Sequence, residues 1–243
     1  MDMNGCTALV TGGTAGIGRA TAHALAARGA HVLVSGRDTE RGAAVAAAVG
    51  ADGGRAEFLA ADLADLDSVR ALADQAGEVD VLVNNAAIFP MAPTADHPAD
   101  LYQLIFDVNV RAPFFLASAL LPGMLARGRG TIVNVGSVAA VSGVPGFAAY
   151  SASKAALEAL TRAWVAEFQG TPIRVNTVAP GPTATETMVA FGPEAVELAR
   201  QDIPLGRIAT PEDVADAVVF LASPAAAHLH GVRLPVDGGR AAV

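Results

Sequence analysis

The chain has 243 residues, 52% hydrophobic and 16% charged, which is ample material for a buried core and too apolar for a disordered chain. Its formal net charge of -8 argues against nucleic-acid and anionic-membrane partners, both of which need a basic face. A lone cysteine, Cys6, rules out an internal disulfide, and the opening MDMNGCTALV has neither a basic n-region nor a long apolar stretch, so a cytoplasmic protein is expected.

The first apolar run, TALVTG (7–12), leads into the glycine-rich VTGGTAGIGRA (10–20) and a helix over 16–28. Gly12, Gly16 and Gly18 let backbone approach a pyrophosphate, whose charge sits at the helix N-terminus. The spacing is not the strict G-x-G-x-x-G, so the reading rests on the strand–turn–helix context. A phosphate loop of the Walker type fails, because Arg19 and Ala20 stand where Lys and Ser/Thr belong. The second run, HVLVSG (31–36), precedes a helix over 39–49. Where an acidic side chain would hold the ribose 2′-OH of NAD, this chain has Gly36 followed by Arg37, which favours the 2′-phosphate of NADP. Asp38 competes for the NAD reading but fits better as the cap of the next helix.

Further runs follow at AEFLAAD (56–62), VDVLVNN (79–85), GTIVNVGS (130–137), IRVNTVAP (173–180) and GVRLPVDGG (231–239), with helical stretches over 66–77, 113–127 and 151–168. The runs read as continuously apolar, as strands covered on both faces do. Alternating β and α predicts one α/β domain over 1–243, a doubly wound seven-stranded parallel sheet with helices on both faces. The uncharged stretch Thr131–Ser153 is broken by Asn, Ser, Gly and Pro too often to span a membrane. PFFLASALLPGMLAR (113–127) is apolar almost all round, and ASKAALEALTRAWVAEF (152–168) nearly so. The sheet covers one side of each, and a second subunit is the expected cover for the other.

The stretch YSASK (150–154) is the most informative. Lys154 is the only lysine in a chain that writes arginine at every other cationic position, and it follows one of two tyrosines by four residues. At that spacing a phenol and an ammonium share one helix face. A fixed positive charge stabilises phenolate, and acid–base work near neutral pH requires a phenol below its ordinary value of about 10. Arginine supplies charge but exchanges no proton at useful pH. Ser137 ends its strand at the carboxyl edge of the sheet, where ligands of open α/β sheets bind.

Together the glycine turn, VLVNNAA, the VNV at 108–110, Ser137, Tyr150, Lys154 and APGPTATET resemble the short-chain dehydrogenase/reductase family over essentially the full length. The resemblance implies a Rossmann-type fold and an NAD(P)-dependent oxidoreductase acting on CH–OH groups, NADP(H) being favoured over NAD(H) by Arg37. It makes Tyr150 the general acid/base, Ser137 the group that stabilises the substrate oxygen, and Lys154 the ribose ligand that lowers the phenol pKa. Asn109 would hold a water that links Lys154 to a proton relay. Cofactor contacts are implied at Gly12, Gly13, Thr14, Gly16, Ile17, Gly18, Arg37, Asp62, Leu63, Asn85, Ala86, Pro180, Gly181, Thr183 and Thr185, besides Tyr150 and Lys154. The family's homotetramer, or a homodimer, is the implied assembly.

Departures are few: Ala87 stands for Gly in NNAG, LHG (229–231) for ITG, and Ala15 where NADP-selective members often carry a basic residue. The segments 87–95, 138–149 and a lid over about 185–207 are mainly apolar, with no paired arginines to clamp an anion, so a neutral or hydrophobic ketone or alcohol is expected. The chain also looks like 3-oxoacyl-[acyl-carrier-protein] reductases, whose acidic partner wants a basic rim that Arg127 and Arg129 could begin. A non-catalytic cofactor-binding regulator would be expected to lack one of Ser137, Tyr150, Lys154 or Asn109, and all four are present. No metal is expected: Asp62, Asp65 and Asp67 lack the calcium-loop pattern, and His228 and His230 lack a third ligand.

Overall fold

Seven strands form one parallel sheet in the order β3-β2-β1-β4-β5-β6-β7. The strands are β1 (Thr7–Thr11), β2 (His31–Gly36), β3 (Arg55–Ala60), β4 (Val81–Asn84), β5 (Gly130–Val135), β6 (Ile173–Pro180) and β7 (Arg233–Val236), in a computed structural model that describes residues 2–243. The chain starts at the centre, winds out to β3, then returns to place β4 against β1. The connections leaving β1 and β4 therefore diverge and open a crevice at the carboxyl edge, where the winding reverses.

Nine α-helices are present among the described residues: α1 (Gly16–Ala26), α2 (Thr39–Ala51), α3 (Leu66–Ala76), α4 (Ala99–Phe106), α5 (Ala112–Arg127), α6 (Ala148–Glu167), α7 (Glu186–Ala190), α8 (Pro193–Gln201) and α9 (Pro211–Ala222). Successive side chains on a strand point to opposite faces. Accordingly Val10, Val34, Val83 and Val135 pack with Leu25 of α1, Val45 of α2 and Val218 of α9. Leu9, Leu33, Leu82 and Ile132 pack on the other face with Leu72 of α3, Leu116 of α5 and Trp164 of α6. Both faces are dry, so both registers of the inner strands are apolar.

The edges depart from the sequence reading. β3 is not continuously buried; Arg55 and Glu57 alternate outward, and β7 is only partly buried. Charged side chains on an edge strand discourage pairing with another chain. α4 was not foreseen: it runs through one π-helical turn, Asp107–Arg111, straight into α5. The resulting stretch Ala99–Arg127 is long and apolar enough, by length and composition alone, to cross a membrane. Its Leu116, Leu120 and Met124 pack into the core, whereas Tyr102, Leu104, Phe114, Phe115 and Leu125 remain exposed. α6 differs from the expectation of an uncovered apolar face, since none of its large apolar side chains is exposed.

Candidate active site

The crevice is built from the ends of β1, β4, β5 and β6. After β1 the chain turns into α1 so tightly that a β-carbon on Gly18 would sit 2.2 Å from the Gly12 carbonyl oxygen. Thr11 and Asn85 tie this turn to the end of β4. The Thr11 hydroxyl donates to the Val83 carbonyl and accepts from the Asn85 and Ala86 amides, while the Asn85 amide nitrogen donates to the Thr11 carbonyl at 2.8 Å. Asn85 therefore shapes the glycine turn. Thr11 was overlooked at the sequence level, although a hydroxyl closing an apolar strand before Gly-Gly was the available signal.

Ala15 gives α1 no side-chain cap, and the first turn holds no acidic residue. A helix N-terminus with no cap or acidic side chain of its own suits the pyrophosphate of a dinucleotide, which would take the place of the Glu186 carboxylate now on the Gly16 amide. Gly13 and Thr14 complete the turn, Gly36 lies against Thr14, and Ile17 packs on the core. Arg37 is exposed at the end of β2. Asp38 is engaged as a cap, accepting from the Arg41 amide at 3.0 Å and pairing with its guanidinium. Asp38 is thus occupied by its own helix. The Asp62 carboxylate accepts from the Ala64 amide, which fixes the loop where the adenine is expected, and Leu63 packs beneath it. Asp65 caps α3 and Asp67 pairs with Arg70, so the acidic triplet serves local structure. His230 accepts from the Val175 amide at 3.0 Å, likewise a structural bond.

β6 delivers Pro180 and Gly181, and Thr183 folds back to the Gly181 carbonyl. Thr185 caps α7, and its methyl would lie 2.9 Å from a β-carbon on Gly16. The lid thus meets the glycine turn. Glu186 reinforces the contact, accepting from the Gly16 amide at 3.1 Å and pairing with Arg19 at 2.7 Å. The residues 186–201 form two short helices, α7 and α8, where the sequence suggested only a lid.

α6 begins at Ala148, earlier than the predicted 151, so Tyr150 lies in its first turn and Lys154 one turn on. Lys154 is 2% exposed, and its Nζ donates to the Val135 carbonyl at 2.7 Å, 5.8 Å from the centroid of the Tyr150 ring. Burial pulls the ammonium down to about 8, and the Glu158 carboxylate opposes the fall. Burial pushes the Tyr150 phenol above its usual 10, and the Ser137 hydroxyl nearby opposes that rise. The expected lowering of the phenol by Lys154 is therefore not what this arrangement produces. Desolvation dominates, because the ammonium is held down against β5. Phe89 and Phe147 flank the phenol edge-on, each with its ring centre 6.0 Å away.

Asn109 is fully buried in the π-helical turn. Its side chain accepts from the Ile88 amide and donates to the Ile88 carbonyl and to Ser153 Oγ, whose hydroxyl caps the Tyr150 carbonyl at 2.7 Å. Both side-chain N–H donors are thereby engaged, so a relay water would meet the side chain only as a donor to its oxygen, or else meet the main chain. Arg127 and Arg129 pair with Asp80 before β5, at the opposite end of that strand from Ser137, so they do not rim this crevice.

A family model described as enoyl-(acyl carrier protein) reductase matches residues 12–241. A solved structure described as a short chain dehydrogenase/reductase family protein is 51% identical, covers 100% of both chains and superposes with a TM-score of 0.94. The chain belongs to the short-chain dehydrogenase/reductase family. Among family members, the cis-4-hydroxycyclohexanecarboxylate dehydrogenase of Sinomonas cyclohexanicum is 41% identical over 97% of this chain and 96% of that protein. The 3-oxoacyl-[acyl-carrier-protein] reductase of Vibrio harveyi is 36% identical over 98% of each. An angucycline C-6 ketoreductase with bound NADP is 32% identical, with a TM-score of 0.93 and coverage of 100% and 98%. As a short-chain dehydrogenase/reductase the protein is an oxidoreductase of alcohols and ketones.

Proposed function

We propose that the protein interconverts an apolar ketone and its secondary alcohol with NADP(H), Tyr150 being the general acid/base. The observation that carries this reading is the Tyr150 phenol flanked by Phe89 and Phe147, with the buried Lys154 ammonium 5.8 Å from its ring centre. In reduction the phenol gives its proton to the carbonyl oxygen, and Ser137 donates to that oxygen as negative charge develops. The nicotinamide, when bound, supplies or accepts the hydride. Lys154, charged below about 8, holds the ribose. The exposed Met91, Val141, Val189 and Phe191 around the crevice and lid favour an alicyclic or other neutral substrate. Arg37, with Asp38 engaged as a cap, supports NADP(H) over NAD(H).

Acyl-thioester reduction is the second reading, supported by the likeness to the Vibrio harveyi reductase. It lacks a basic rim, because Arg127 and Arg129 point elsewhere. The exposed apolar face of α4 and α5 supports a homotetramer, or a homodimer, built on that face. Absorbance assays with NADPH and NADH, against cyclohexanone and acetoacetyl-CoA, test these readings together. Preferential NADPH oxidation with cyclohexanone is expected. Faster turnover of acetoacetyl-CoA would shift the reading to thioesters, and faster turnover with NADH would reverse the cofactor preference.

A further inference from the structure

Glu158 and Arg233 lie 75 residues apart and meet beneath the catalytic groups. Glu158 is 5% exposed on α6, one turn beyond Lys154. Arg233 Nε, from β7, donates to both of its carboxylate oxygens at 3.1 Å. The same guanidinium reaches on: Nη2 donates to the main-chain carbonyl of Ser137 at 3.2 Å. The floor of the site leaves room for this pair because position 136 is glycine; a β-carbon there would lie 2.8 Å from Glu158 Oε1. Three consecutive residues at the end of β5 are thereby fixed. Lys154 holds the Val135 carbonyl, the Gly136 amide donates to Val178, and Arg233 holds the Ser137 carbonyl.

We propose that Glu158 and Arg233 are positioning residues for the carbonyl chemistry, clamping the Ser137 main chain so that its hydroxyl meets the substrate oxygen and the Tyr150 phenol. A requirement for stability alone does not account for the arrangement, since well-packed apolar residues replace buried ion pairs with little loss or even a gain. What apolar residues cannot supply is the second arm of the guanidinium on the Ser137 carbonyl. Arginine's planar fork serves both partners at once, and a lysine ammonium placed on the carboxylate would leave that carbonyl free. Glu158 adds a second effect through its charge, which opposes the loss of the proton from Lys154.

The inference rests on the roles proposed above for Ser137 and Tyr150, and its test separates the two. Arg233→Lys keeps the ion pair and drops the arm to Ser137. The double variant Glu158→Leu/Arg233→Met removes both charges, so that no lone buried charge remains to unfold the protein. In each, kcat at saturating ketone is expected to fall ~10- to 100-fold, the scale of a misplaced reacting group. The Kd for NADPH, read by its fluorescence, is expected to stay within about twofold, since uniform binding is untouched. The Arg233→Lys variant should also keep the parental thermal midpoint, which distinguishes positioning from loss of structure. Parental kcat in either folded variant overturns the inference. A parent protein that oxidises NADPH with none of the ketones overturns the functional reading instead.

Discussion

Lys154 enters the fold at a cost. Its ammonium is held at about 8 instead of 10.5, so below pH 8 the folded state carries a buried charge that the unfolded chain keeps in water. The sign follows from linkage: between about 8 and 10.5 the unfolded chain binds more protons at this site, so the Lys154 contribution to stability improves as pH rises through that window. A Lys154→Met variant is accordingly expected to melt higher than the parent at pH 7, by up to about 3 kcal/mol, while turnover drops at least ~100-fold. Calorimetry beside a turnover assay checks both halves. Lys154→Arg is expected to fold and to lose most of its turnover, since a guanidinium exchanges no proton at these pH values. The same titration sets a pH profile. Ketone reduction should decline as pH rises through about 8, where Lys154 loses the proton it would pass toward the phenol, and a flat profile from 7 to 9 would contradict that role. Replacing Tyr150 by Phe should abolish turnover with NADPH affinity retained.

The elements divide into those written in local sequence and those set by distant partners. Strands such as VLVNN and TIVNV are legible because both faces are buried, so their side chains are mostly apolar whichever way they point, and the buried Asn84 and Asn134 bond to each other. The same logic misleads at the edge, where β3 has one open side and Arg55 and Glu57 alternate outward. α4 escaped notice because DLYQLIF follows a polar, proline-containing loop and becomes helical in continuity with α5. The candidate residues at 12–18, 150 and 154 announce themselves by glycine spacing or by rarity, and Ser137 by its place at the end of a strand. Glu158 and Arg233 do not, since a carboxylate on one helix and a guanidinium 75 residues later carry no local pattern. Glycine spacing also yields a prediction. Gly18→Ala would drive its methyl into the Gly12 carbonyl, so the turn must open. NADPH affinity is expected to fall about tenfold or more, with helix content by circular dichroism preserved.

For the whole molecule, the long helix Ala99–Arg127 shows one face to the sheet and leaves Phe114, Phe115 and Leu125 uncovered. Substituting Phe114 by Glu is expected to yield smaller particles in light scattering, if that face joins two copies as proposed. Unchanged mass would move the interface elsewhere. The single lysine has a consequence for the entire surface. Every other cationic side chain is arginine, and the one side-chain amine is 2% exposed beneath the catalytic phenol. Acylating or aldehyde reagents therefore find no competing side-chain amine outside the crevice. A light-touch acetylation experiment, with peptide mass mapping, becomes a gauge of how often the floor of the crevice opens. Any cellular acyl mark laid on a lysine of this protein would fall on Lys154, and the role proposed for that residue predicts that it would silence the enzyme.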